Sequence, residues 1–125
     1  MGAVVQMEFF PGVTAADKVA TRELLKKYPK MLRKIGVYGK KESLTELEAR
    51  EFKDFSRKVR EIDRAFELIE DDEVMAIIKH RYVNARKHKL TLLKYTANTS
   101  TATINRRIRV GVATIADHLK LAGII

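Results

Sequence analysis

Leu90-Thr91-Leu92-Leu93-Lys94-Tyr95-Thr96-Ala97, Asn98-Thr99 and Ser100-Thr101-Ala102-Thr103-Ile104-Asn105-Arg106-Arg107-Ile108-Arg109 follow one another near the end of the sequence. The first segment has the length and apolar spacing of a helix of about two turns. Asn98-Thr99 reads as a tight connection, because Asn tolerates a left-handed backbone better than other residues with a side chain. Ser100 is the expected N-cap of a longer helix reaching to about Leu119, its hydroxyl accepting from first-turn N–H groups. A short helix, a turn and a second helix opened by a hydroxyl residue form the layout of a helix-turn-helix.

The second helix has two dissimilar sides. At about 100° per residue, Ile104, Ile108, Gly111, Val112, Ile115 and Leu119 fall together and form a packing stripe. Ala102, Thr103, Arg106 and Arg109 point the other way, with Asn105 and Arg107 on the flanks. Those residue types suit a major groove. Arg forks to guanine, Asn pairs with adenine, and Ala or the Thr methyl touches the thymine methyl. The expected base-reading residues are therefore Thr103, Asn105, Arg106 and Arg109, with Ala102 beside them. Ser100 and Thr101, at the positive helix end, together with Arg107, Lys94 and Lys89, are expected on phosphates. The ordinary alternative is an amphipathic surface helix with solvated arginines, and for one arginine alone that is the better reading. The whole set favours double-stranded DNA.

Charge points the same way. From Lys79 onward there are ten basic residues and one acid, Asp117, which accounts for the entire net charge of +9. The preceding residues hold 15 basic and 15 acidic groups and cancel. Within them, 14–41 is basic, with nine cations against Asp17 and Glu23, and 42–78 is acidic, with twelve acids against six cations. A surplus confined to one end suggests a polyanion-facing surface.

The rest reads as helices. Residues 4–10 form a short extended or irregular arm closed by Pro11 and Gly12. Thr14 caps a helix from Ala15 that Pro29 kinks or breaks, with Gly36 and Gly39 ending it. Ser43 with Glu46 reads as a capping box opening a helix over Leu44 to Ile69. Its stripe of Phe55, Val59, Ile62, Phe66 and Ile69 suits a seam against helix 15–35, or against a second copy of the chain. Asp71 or Asp72 caps the next helix, whose apolar side is Val74, Met75, Ile77, Ile78 and Tyr82, and Ala85 to Lys89 reads as a basic loop. The acidic run Glu70 to Glu73 lacks the spacing of a calcium loop and fits a helix N-terminus.

These features define an expected all-α helical bundle of about four to six helices, in one domain of 125 residues. Residues 1–69 form a helical scaffold or interaction part, and 70–125 a helix-turn-helix DNA-binding part. The acid-rich 42–73 helix is the candidate contact for a partner such as RNA polymerase, or for a homo-oligomer partner.

A resemblance sharpens this. Ile62-Asp63-Arg64-Ala65-Phe66-Glu67-Leu68, then Val74 to Ile78, Arg81-Tyr82 and Ser100-x-x-Thr103-Ile104-x-Arg106-Arg107 look like region 4 of sigma-70-type factors. With Phe9-Phe10-Pro11, Ala20-Thr21 and Leu24-Leu25-Lys26-Lys27-Tyr28, the chain resembles phage ArpU/RinA-type late transcription regulators. Lys94, Asn98 and Thr99 depart from the usual small, Gly and apolar residues of the motif. The resemblance implies a phage or prophage activator of late, packaging or lysis genes, working in the cytoplasm of a bacterial host.

Other classes find little support. With no cysteine there is no thiolate nucleophile and no Cys-based metal site. His80, His88 and His118 are too scattered for a local metal motif, and phosphate-loop, dinucleotide and nucleophile-elbow patterns are absent. No enzyme, metal or cofactor is expected. No apolar run reaches the roughly 18–20 residues of a membrane span, so no membrane partner is expected, and Met1 to Phe10 with Glu8 and no cation does not fit a secretory leader. Two alternatives remain. One is a small terminase-like subunit recognising viral DNA as a ring oligomer. The other is a helical protein–protein adaptor working through the 55–69 stripe.

Overall fold

A computed structural model describes residues 12–125, and the expected arm at 4–10 lies outside them. Among the described residues the chain is all-helical, with 78% in helix, no strand and five helices. They are α1 (Ala15–Gly39), α2 (Glu46–Glu67), α3 (Asp72–Lys79), α4 (His88–Tyr95) and α5 (Thr101–Leu121). One π-helical turn, His80–Asn84, continues directly from α3.

Local sequence signals fix most boundaries. Thr14 and Asp17 form a reciprocal capping box at the start of α1, with Thr14 N–H donating to Asp17 Oδ2 over 2.8 Å. The box that opens α2 is Thr45 with Glu48, not Ser43 with Glu46. Two S/T-x-x-E patterns overlap there, and the pair two residues further on also engages Lys41 through Glu48. Asp71 caps α3, accepting from Glu73 N–H and Val74 N–H.

α1 runs without a break through Pro29 and Gly36, contrary to the expected interruption. Proline removes one N–H donor, yet Leu25, Tyr28 and Met31 are buried on either side of it. Packing on both flanks offsets the local loss. The basic segment also differs from expectation, since His88 and Lys89 are helical and the loop shrinks to residues 85–87.

α5 is the central element. Ile104, Val112, Ile115, Ala116 and Leu119 are fully buried, and α5 packs against α1, α2 and α3. Leu25 of α1, Ile62 and Phe66 of α2, Ile78 of α3 and Leu119 of α5 belong to one hydrophobic cluster, so residues before and after position 70 share a core. The α2 stripe is spent inside this core. Val59, Ile62, Phe66 and Ile69 are buried, with Phe55 packed at the margin, so the chain itself fills the seam. No described helix is long and apolar enough to cross a membrane.

Candidate nucleic-acid interface

The candidate face is the N-terminal half of α5 together with α4. Ser100 begins it as the N-cap, its Oγ accepting from Thr103 N–H at 3.2 Å and donating to Thr103 Oγ1 at 2.9 Å. The two hydroxyls are thus locked together at the positive end of the helix. Thr96 to Thr99 form the connection before it. Asn98 does not take the expected left-handed conformation, because a longer turn spreads the reversal over several residues. The left-handed side-chain-bearing residue is instead Arg86.

The predicted sidedness of α5 is present. Ile104, Ile108, Gly111, Val112, Ile115 and Leu119 are all buried. Thr101, Ala102, Arg106 and Arg109 are exposed, and Thr103, Asn105 and Arg107 are half-buried on the flanks. Ala102, Arg106 and Arg109 are spaced four and three apart, which aligns them along one line of the helix. Lys89 and Lys94 are exposed on α4.

Ion pairing separates these cations. Among the described residues, Arg106, Arg109, Lys89 and Lys94 make no ion pair with an acid. Arg107 does. Its Nη2 lies 2.6 Å from Glu73 Oε2, on the first turn of α3, where the two flank a cleft of about 530 Å³. Lys94 Nζ sits over the Tyr95 ring, 5.6 Å from its centroid.

The opposite half of α5 is pinned. Lys120 Nζ reaches Asp17 Oδ2 at 2.7 Å and the Gly12 carbonyl at 3.2 Å. The Lys120 hydrogen bond, followed by the Thr14 N–H, holds the Asp17 carboxyl down at about 2. Arg57 Nη2 donates to the carbonyls of Ala122 and Gly123, at the negative end of α5. His118 Nε2 lies 3.4 Å from Glu61 Oε2 without hydrogen-bond geometry. Burial pushes the Glu61 carboxyl up, but the Arg64 guanidinium 2.5 Å away and His118 bring it below the usual range. The helix is therefore held by polar contacts at its C-terminal end and by the buried Ile104 and Ile108 at its N-terminal half, where Arg106 and Arg109 stay exposed.

α4 is held more lightly. Thr91 is its one buried residue, and His80 Nδ1 lies 2.9 Å from Thr91 Oγ1. The His80 ring meets Tyr95 edge-on at 5.7 Å. Burial, then the charge of Lys94, keeps His80 below its ordinary range and so favours the neutral ring. Glu73, the partner of Arg107, is not among the expected site residues. Lys26, Arg81 and Arg86 were also outside the expected site, since nothing in the local sequence marks them as neighbours.

Protein-family models, curated proteins and solved structures were compared with this chain, and none matches it.

Proposed function

We propose that the chain is a sequence-specific double-stranded DNA-binding regulator of transcription, with α4 and α5 acting as a helix-turn-helix. One observation carries this reading: α5 buries Ile104, Ile108 and Val112 while Ala102, Arg106 and Arg109 stand exposed along the opposite side, their arginines unpaired with acid among the described residues. An arginine row serving only solubility has no need of a rigid, well-anchored helix beneath it.

In this reading Arg106 and Arg109 fork to guanine edges, Asn105 addresses adenine, and Thr103 with Ala102 meets thymine methyl groups. Ser100, Thr101, Lys89 and Lys94 set the register on phosphates. Arg107 exchanges Glu73 for a phosphate oxygen on binding, which trades a solvent-screened pair for a denser anion. The resemblance to ArpU/RinA-type regulators supplies the proposed setting, namely activation of phage or prophage late genes in a bacterial cytoplasm, with the acidic α2 offered to host RNA polymerase.

The test begins with duplexes selected from random sequence. Affinity is expected to fall linearly on a logarithmic salt scale. Arg106→Ala is expected to cost about 1–3 kcal/mol and to relax preference at one base position. Unchanged affinity and preference in that variant would remove the assigned reading face. Absence of salt-dependent duplex binding would remove the function.

A further inference from the structure

Outside the residues of α4 and α5, Lys26, Arg81 and Arg86 line one small cleft together with the buried Tyr82, and no acid lines it. The three cations come from α1, the π turn and the connection before α4. Neither Arg81 nor Arg86 makes an ion pair among the described residues. Lys26 has only Glu23 at 3.4 Å, with both side chains more than half exposed, a pair that water largely screens. The Arg81 guanidinium lies over the Tyr82 ring at 4.6 Å, which fixes its plane.

The backbone adds an independent sign. Arg86 is the one non-glycine residue with positive φ among those described, at 63°. A residue bearing Cβ is disfavoured there, and Arg has no short side chain to compensate locally. Backbone strain of this kind collects at functional positions, and here it falls on one of the three cations that line the cleft. An anion there would meet three positive charges.

Size limits the occupant. The cleft is shallow and measures about 50 Å³, more than the ~10–15 Å³ of such space that one water needs. That is room enough for a small oxyanion. From Lys26 the cations Lys18, Arg22 and Lys30 extend along one side of α1 at four-residue spacing, a row that suits a chain of phosphates better than an isolated ion.

We propose that the Lys26–Arg81–Arg86 cleft is a phosphate site distinct from the α5 face, and that it takes a backbone phosphate of the bound duplex. The second clause rests on the DNA-binding reading, whereas the anion site stands apart from it.

Arg86→Gly is the informative variant, because glycine accepts a φ of 63° without strain while the side chain and its charge are removed. The intact chain is titrated with inorganic phosphate and, separately, with a duplex of arbitrary sequence. Saturable shifts of the Arg81 and Arg86 side-chain N–H resonances with phosphate support the site. They should vanish in Arg86→Gly and weaken in Lys26→Ala, with no fall in melting temperature for Arg86→Gly. A loss of about threefold to tenfold in duplex affinity, with a salt slope smaller by about 1 and unchanged base preference, identifies a backbone phosphate as the occupant. Phosphate shifts without any change in duplex binding keep the site and overturn the duplex as its occupant. No shifts, with duplex affinity and slope unchanged, overturn both. Should the wild-type chain bind no duplex, the phosphate titration decides the site alone.

Discussion

Gly111 has no side chain because Ile78 takes its space. A Cβ there would lie 2.3 Å from Ile78 Cγ1 and 2.7 Å from its Cδ1, with Val74 Cγ1 at 3.2 Å. Ile78 is fully buried and cannot swing aside, so α3 and α5 cross at this residue. Gly111→Ala would gain about 1 kcal/mol of helix propensity but overpack the crossing by about 1–3 kcal/mol. A net loss of stability is expected, read as a lower denaturant midpoint, and an equal or higher midpoint would show that the crossing has slack. The sequence placed Gly111 on the buried stripe from its angle alone, yet the closeness of the crossing depends on α3 and could not be read locally. Arg86 is a sharper case. Left-handed backbone was expected at Asn98, where local chemistry favours it, and occurs instead at an arginine whose conformation is set by the chain around it.

At the scale of elements, what could be read were patterns that a helix carries within itself. The Ser100 cap, the α5 stripe and the α2 stripe are periodic or local, and each is present in the fold. The break at Pro29 was misread because the burial of Leu25, Tyr28 and Met31 is a tertiary fact. The start of α2 was misread because two capping patterns overlap and only one is used. α4 is the least anchored of the helices, and its attachment depends on His80, Thr91 and Tyr95. Since burial and then Lys94 lower the His80 pKa, the unfolded chain takes up a proton first as pH falls. The stability His80 contributes is thus present above its ordinary value of 6.5 and declines as pH drops through it. The protection factors of α4 amides, which are exchange rates referred to the unfolded chain at the same pH, are expected to fall as pH drops below 6.5, with residues of α5 such as Val112 holding theirs. A His80→Gln variant should lose this dependence. Protection in α4 unaltered by pH in the wild type would contradict the anchoring role.

For the whole molecule, a shared core carries a central helix that is buried along one side, pinned by polar contacts at its C-terminal end, and exposes its arginines near its N-terminal end. The fixing is partly electrostatic, and Asp17 with Lys120 joins the start of α1 to the end of α5. Because folding lowers the Asp17 pKa to about 2, its contribution exists above the ordinary 3.8 and is lost as pH falls from there toward 2. Lys120→Met is expected to move the midpoint of acid unfolding to higher pH, followed by circular dichroism, whereas superimposable acid curves would deny the link. Long-range pairings of this kind, like the meeting of Lys26 with Arg81 and Arg86, leave no trace in spacing along the sequence, and only the fold brings them together. The central claim concerns the exposed side of the N-terminal half of α5. It is tested most directly by mapping backbone and arginine side-chain resonances of the intact chain during titration with a selected duplex. Perturbations are expected to concentrate on Ser100 to Arg109, led by Arg106 and Arg109, with lesser effects at Lys89, Lys94, Arg81 and Arg86. A map in which Arg106 and Arg109 stay unmoved while the duplex binds elsewhere would contradict it.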